Sequence, residues 1–377
     1  MRSKRLFTTF LSLVMLSLFS LTLCGLALAA SPAQASAKKT RIAFVLLESI
    51  NDQGWNEAHY DGIQHLKKTL GGQVEVAYTE NVQSPAEAER VMRDYARQGY
   101  DLIFGTTFMY MEPMYAVAAE YPNVKFMHCS GFKTRPNLGT YMVRIEQGEY
   151  LAGYLAGLMG YRNVGTVATQ PIAEVVRGIN AFTLGLTRGL VESRTSFDAG
   201  KVNTVVWLKS WRDAKNETAQ ALALVEGKHD LIREMADTSE SSRAACAKGV
   251  PAIGYGTDSL KYGAPCTLTS TTFNWGPVYV DIVKKVRAGT WRNDQVFTGF
   301  EAGGVALAPF GKAVPKTVAS KVLALKAQMV KGQDMSFAGP IRDQSGVERV
   351  KQGGKATDAE LLSMGWFVQG VSGSLPQ

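Results

Sequence analysis

From Arg41 onward, short apolar runs alternate with amphipathic stretches. The run 42–47 is apolar throughout and of strand length, the pattern of a strand buried on both faces. Residues 56–70 carry apolar positions at helical spacing and stop at Gly71-Gly72. A second strand is predicted over 74–78. Ser84-Pro85-Ala86-Glu87 then opens a helix, with Ser84 at the N-cap, Pro85 in the first helical position and Glu87 completing a capping box. Strand 102–104, helix 113–120 and strand 124–127 follow.

The rhythm restarts with a strand at 141–144 and a helix at 147–159. That helix carries Gly148, Gly153 and Gly157 on neighbouring turns, which predicts close packing against a partner. Strands are predicted at 164–168, 202–208, 230–235, 252–256 and 267–270. The helices between and after them fall at 174–191, 214–224, 241–247 and 276–287. The last ninety residues hold a few strands, a helix over 318–330 and a tail rich in Gly and Ser. Repeated βα units of this length predict an α/β fold of two doubly wound parallel-sheet lobes. Lobe one is expected to span 36–145 plus 273–330 and lobe two 146–272. The strands and tail of 331–377 complete the chain. The chain would cross near 141–148 and 272–276, a hinge with a ligand cleft beside it.

The first 35 residues break the rhythm. Arg2, Lys4 and Arg5 precede an uncharged stretch from Leu6 to Ala30, and small residues recur in Ala-x-Ala spacing at Ala27–Ala29 and Ala33–Ala35. This is the order of a secretory signal, with cleavage expected after Ala35 and delivery to the periplasm. Two alternatives stay open. The apolar run reaches the ~20 residues of an uncleaved anchor. Cys24 could carry lipid, although Leu23 is bulky for that role and the apolar run continues past it.

The formal charge of +8, less the three basic residues of the first 35, leaves +5 on the mature chain. These charges are scattered, so nothing points to nucleic acid. No second long apolar run follows, so a soluble mature protein is expected. Cys129, Cys246 and Cys266 remain after processing. In an oxidising compartment Cys246 and Cys266 could pair, closing a loop of about 20 residues for ~3 kcal/mol. Alternatively all three are small buried apolar residues.

The chain lacks a phosphate-binding P-loop, a His-Glu-x-x-His and a Gly-x-Ser-x-Gly. His59, His65, His128 and His229 are dispersed, and the six-residue spacing of the first two puts them on different helix faces. No catalytic group, metal or cofactor is expected. What stands out is position, because ligands of doubly wound folds lie beyond the carboxyl ends of the strands. Five such ends here carry Asp, aromatic, Asn or Thr together: 51–56, 106–112, 209–213, 236–239 and 257–259. Trp55 and Trp211, one from each lobe, could sandwich a flat ring, an interaction worth ~1–3 kcal/mol per base. A neighbouring carboxylate would accept from a ring N–H or an amine. Singly, Trp55 reads equally as packing at a helix start, and Asp52 or Asp213 as N-caps.

Four segments in combination resemble the basic membrane protein (PnrA-like) family: Asp52-x-Gly-Trp-Asn56 with Gly62, Gln147-Gly-Glu-Tyr-Leu-Ala-Gly-Tyr-Leu-Ala-Gly157, Ser210-Trp-x-Asp213 followed by Glu217, and Asp237-Thr-Ser. The resemblance covers nearly the whole mature chain. It implies a type I periplasmic-binding-protein fold and a monomeric substrate-binding protein that hands a purine base or nucleoside to an ABC transporter permease. It also implies that Trp55 and Trp211 stack on the ligand and Asp237 reads the base. Asp52 and Asn56 would line the pocket, the Thr106–Phe108 turn would close it, and Asp258 would face a ribose. The stretch Leu268–Trp275 lacks the lysine that such a ribose site carries, and Trp275 is bulky, which favours a free base such as adenine. Two other readings remain. One is a periplasmic nucleoside hydrolase using Asp52, Asp237 and Asp258; the other is a ligand-sensing subunit of a membrane receptor.

Overall fold

In the computed structural model, which describes residues 38–376, two parallel sheets lie in succession along the chain. The first lobe runs β1 (Thr40–Val45), α1 (Trp55–Leu70), β2 (Val74–Thr79), α2 (Pro85–Arg97), β3 (Leu102–Gly105), α3 (Met111–Glu120), β4 (Lys125–Cys129) and β5 (Leu138–Val143). The second continues with α4 (Ile145–Leu158), β6 (Val164–Ala168), α5 (Ala173–Glu192), β7 (Lys201–Trp207), α6 (Ala214–Glu226), β8 (Leu231–Met235), α7 (Glu240–Ala247), β9 (Ala252–Gly256) and β10 (Thr267–Phe273). The chain then returns through α8 (Trp275–Arg287), which packs on α1, and β11 (Gln295–Thr298), and crosses again to β12 (Val305–Leu307). It ends with α9 (Lys316–Val330), the hairpin β13 (Ile341–Arg342) and β14 (Glu348–Val350), α10 (Asp358–Leu362) and β15 (Gly370–Ser372).

The first sheet orders β11-β5-β4-β3-β1-β2 and the second β12-β10-β9-β8-β6-β7-β15. Within the stretch 273–330, β11 therefore joins the first sheet while β12 pairs antiparallel with β10 in the second. The tail strand β15 extends the second sheet beside β7. The chain crosses between sheets three times, at 143–145, 273–275 and 298–305. These crossings are laced together: Arg144 N donates to Thr298 O at 2.8 Å, Asn274 N to Gly304 O at 2.9 Å and Phe300 N to Gln147 Oε1 at 2.8 Å.

β3, β6 and β8 are buried along their whole length and β1 from Ile42 onward, which explains the apolar runs of β1 and β3; in β8 the buried Arg233 is paired with Glu149. Helix α2 begins with Ser84 at the N-cap and Pro85 in the first turn, and Ser84 Oγ accepts from Glu87 N at 3.2 Å, the first half of the expected capping box. The glycines of α4 serve its contact with α5. A Cβ on Gly153 would sit 2.0 Å from Phe182 O, and one on Gly185 2.0 Å from Tyr150 O, so the two backbones touch. Two ion pairs are buried beside this contact, Glu146–Arg177 at 3.0 Å and Glu149–Arg233 at 2.7 Å.

Cys246 and Cys266 form a disulfide, tying the end of α7 to the approach to β10, and Cys129 is a buried free thiol. Among the described residues no helix is long and apolar enough to cross a membrane. The signal segment, its Ala35 cleavage point and Cys24 lie outside the described residues.

Candidate functional site

The carboxyl ends of both sheets meet around a slot with about 450 Å³ of atom-free space, part of it continuous with solvent. Its aromatic walls are Trp55 and Phe108 from the first lobe and Trp211 and Tyr255 from the second. Leu47, Ile172 and Val175 add apolar surface, Thr107, Ser130 and Thr169 hydroxyls, and Glu174 and Asp237 carboxyls. No lysine, arginine or histidine lines it.

Trp55 is fixed from behind. Its indole Nε1 donates to Thr106 O at 2.7 Å. Its ring meets His59, Phe273 and Trp275 edge-on at centroid distances of 4.8, 5.0 and 5.6 Å. His59 in turn stacks on Trp275 at 4.5 Å and shares a 2.5 Å hydrogen bond with the Tyr279 hydroxyl. Burial drives the pKa of His59 far down, so this ring is a neutral packing element. His128 plays a similar part: its Nε2 bonds Thr107 O at 2.8 Å, and burial lowers its pKa to about 4.

The turn before α1 is built by Asp52. Its carboxylate accepts from the backbone N–H of Gly54 at 3.0 Å, Asn56 at 2.8 Å and Glu57 at 2.9 Å, and from Asn56 Nδ2 at 2.7 Å. Asn56 Oδ1 accepts from Glu48 N at 3.2 Å. Both side chains are consumed in shaping the turn that presents Trp55.

Across the slot, Asp237 sits on the turn after β8, held from below by buried Glu217. That carboxylate accepts from Thr238 Oγ1 at 2.6 Å and from Ser241 N and Oγ, each at 2.9 Å. Burial is the main force raising the pKa of Asp237 well above the usual carboxylate range; Asp52, Glu174, Glu48 and Glu217 add like-charge repulsion. Glu174, in the first turn of α5, is pushed up to about 7, chiefly by burial and also by Glu146, against the opposing pull of Arg177 and a hydrogen bond from Tyr255. The slot is therefore acid-edged, and its carboxyls hold protons easily. A ligand offering N–H donors suits it; an anion does not.

The lobes are closed over the slot. Gly54 lies so near Asp237 that a Cβ there would be 2.8 Å from Asp237 Cα and carbonyl carbon. Thr257 Oγ1 donates to Gln53 O at 2.5 Å, and the Tyr262 hydroxyl donates to Glu57. At the rim, Arg212 faces Glu48 at 3.9 Å.

Of the eight residues singled out in the sequence, Trp55, Phe108, Trp211 and Asp237 stand in the slot wall. Asp52 and Asn56 stand behind it. Thr106 is buried, with Oγ1 donating to Val45 O at 3.0 Å, while its neighbour Thr107 reaches the slot. Asp258 accepts from Leu260 N at 3.2 Å and caps the turn 259–262. Trp275 lies fully buried behind Trp55, so its bulk does not occupy the slot. Glu174, Thr169 and Tyr255 were not singled out. Thr169 immediately follows β6, and the strand-end rule applied to the other five segments would have found it together with Glu174. Tyr255 lies inside β9, where sequence reads it as core.

Comparison with known proteins gives a consistent picture. The profile of the family "ABC transporter substrate-binding protein PnrA-like" matches residues 39–334. A purine-binding protein of Brucella abortus is 35% identical over 341 residues, covering 90% of this chain and 95% of its own. A protein of Haloferax volcanii named an ABC transporter glucose-binding protein is 35% identical over 335 residues, covering 89% of this chain and 81% of its own. Among solved structures, an ABC transporter solute-binding protein from Conexibacter woesei superposes with a TM-score of 0.62 at 24% identity, covering 78% of this chain and 97% of its own, a likeness of fold.

Proposed function

We propose, on the premise that this chain belongs to the PnrA-like family of ABC transporter substrate-binding proteins, that it captures a purine for uptake. Membership makes it an extracytoplasmic solute-binding protein, not an enzyme, with a small-molecule ligand and a transporter permease as partners. The identity of the solute is our own reading, and the two relatives divide on it, one named for purines and one for glucose.

The observation that carries the purine reading is the lining of the slot: four aromatic rings, two from each lobe, beside two carboxyls. A flat heteroaromatic ring fills such a space face to face, gaining ~1–3 kcal/mol per stacking partner. A hexose carries hydroxyls around its whole perimeter, and here the perimeter includes Leu47, Ile172 and Val175. Asp237 would accept from an exocyclic amine or ring N–H of the base, and Trp55 and Trp211 would stack on its faces. With no cationic side chain in the wall and Asp258 engaged in its own turn, a free base such as adenine is favoured over a nucleoside. Binding draws the lobes together through the hinge at the three crossings, and the closed form is what the permease meets.

Calorimetry on ligand-stripped protein with adenine, adenosine, guanine and guanosine tests this reading. Adenine binding most tightly is expected; tighter adenosine binding would refute the free base. Export with cleavage after Ala35, followed by a monomeric life in the periplasm, completes the proposal. An intact mass corresponding to a chain beginning at Ser36 is expected, whereas a lipid-modified Cys24 at the N-terminus would replace it with a tethered form.

A further inference from the structure

Beside the slot lies a larger chamber of about 810 Å³ of atom-free space, part of it open to solvent. The two share Phe108, Ser130, Ile172 and Glu174, so they lie side by side against one common wall. Beyond that shared wall the chamber is faced by Phe132 and Met142 from the first lobe and Leu362 from the end of α10, with Arg177 and Gln295 as its polar members. Phe132 is 65% exposed and Phe108 41%, so one phenyl ring is largely and the other partly uncovered at the edge of the cleft. Large apolar side chains are usually exposed in this clustered way where something covers them.

We propose, resting on the purine reading of the slot, that the chamber receives an apolar substituent carried by the base. The natural ligand is then a purine bearing an aryl- or alkyl-sized arm. The contrast between the two spaces supports this. The slot has aromatic rings from both lobes in its wall, as a flat ring needs, whereas the chamber has nearly twice the atom-free space and room for an arm. The chamber's apolar part, formed by Phe108, Phe132, Met142, Ile172 and Leu362, is the surface such an arm would cover, while Ser130, Glu174, Arg177 and Gln295 complete the wall. Moving one phenyl ring from water onto that apolar part is worth about tenfold or more in affinity.

The test is calorimetry of ligand-stripped protein with adenine, N6-benzyladenine, 9-benzyladenine and adenosine. At least one benzyl compound should bind about tenfold tighter than adenine. Ala173→Phe fills the chamber from a position outside the slot and should remove that advantage while leaving adenine within about threefold. Phe132→Ser, at a largely exposed site that folding does not depend on, should reduce the advantage several-fold. Both benzyl compounds binding more weakly than adenine would overturn the inference, as would adenosine binding more tightly than either. So would benzyl affinities that neither variant changes. Failure of all four compounds to bind would instead overturn the purine reading, and this inference with it.

Discussion

Gly54 is where the closed state can be broken with a single methyl group. It precedes α1 on the first lobe, and a Cβ built on it would lie 2.8 Å from the Cα and carbonyl carbon of Asp237 and 2.9 Å from its carbonyl oxygen. Carbon atoms prefer ~3.5–4.0 Å. All three obstacles are backbone, so no side-chain rotation relieves them. Overpacking of this kind costs ~1–3 kcal/mol. Within one lobe that cost would lower stability, but here it arises only where the two lobes meet, so the open form escapes it. Gly54→Ala should therefore shift the open–closed balance by about 5- to 150-fold, and apparent affinity should fall by the same factor because the ligand is held by the closed form. Thermal unfolding of the ligand-free variant should stay within a few degrees of the parent. Calorimetry reads the affinity, and small-angle scattering at saturating ligand reads the closure. A Gly54→Ala protein that binds adenine with parental affinity and contracts to the parental radius would refute the view that this contact is made on closing.

Other outcomes follow from the same geometry. Asp237→Ala should weaken adenine binding by more than tenfold, because it leaves the buried donor of the base without its partner, at ~1–3 kcal/mol, with the melting temperature nearly unchanged; unchanged affinity would remove this residue from the site. Glu174, raised from 4.5 to about 7 chiefly by burial, holds a proton in the folded chain that the unfolded chain releases. Its contribution is full below pH 4.5 and is lost as pH rises toward 7. Ligand-free Glu174→Gln should lose less melting temperature than the parent across that window, and an equally steep fall would contradict the assignment. Replacing Cys246 and Cys266 with Ser should cost ~3 kcal/mol in denaturant unfolding without altering adenine affinity, since neither residue lines the slot; a parallel loss of affinity would show that the bridge shapes the site.

The strands of both lobes were legible because burial on both faces leaves short, mainly apolar runs, unbroken in 42–47 and interrupted only by Thr166 in 164–168. The short strands β12 and β15 were not, because three residues carry no period and their places depend on which sheet edge is free. At the site, Trp55, Phe108, Trp211 and Asp237 could be found from strand ends alone. Asp52, Asn56 and Asp258 have the same composition and position, but their oxygens face their own turns. A carboxylate that caps and one that waits for a ligand differ only in where backbone N–H groups point, which sequence does not record. Glu174 follows the end of β6 and is within reach of the same strand-end rule, although an acid in the first turn of a helix also reads as an ordinary partner of the helix dipole.

The central claim is that the slot holds a purine, and it sits beside two tryptophans, Trp55 and Trp211, that report on whatever enters. Parallel titration of ligand-stripped protein with adenine and with glucose, following tryptophan fluorescence and heat together, addresses it most directly. The account predicts saturable one-to-one binding of adenine with a change in tryptophan emission, and no response to glucose. Saturable binding of glucose with silence toward adenine would contradict it.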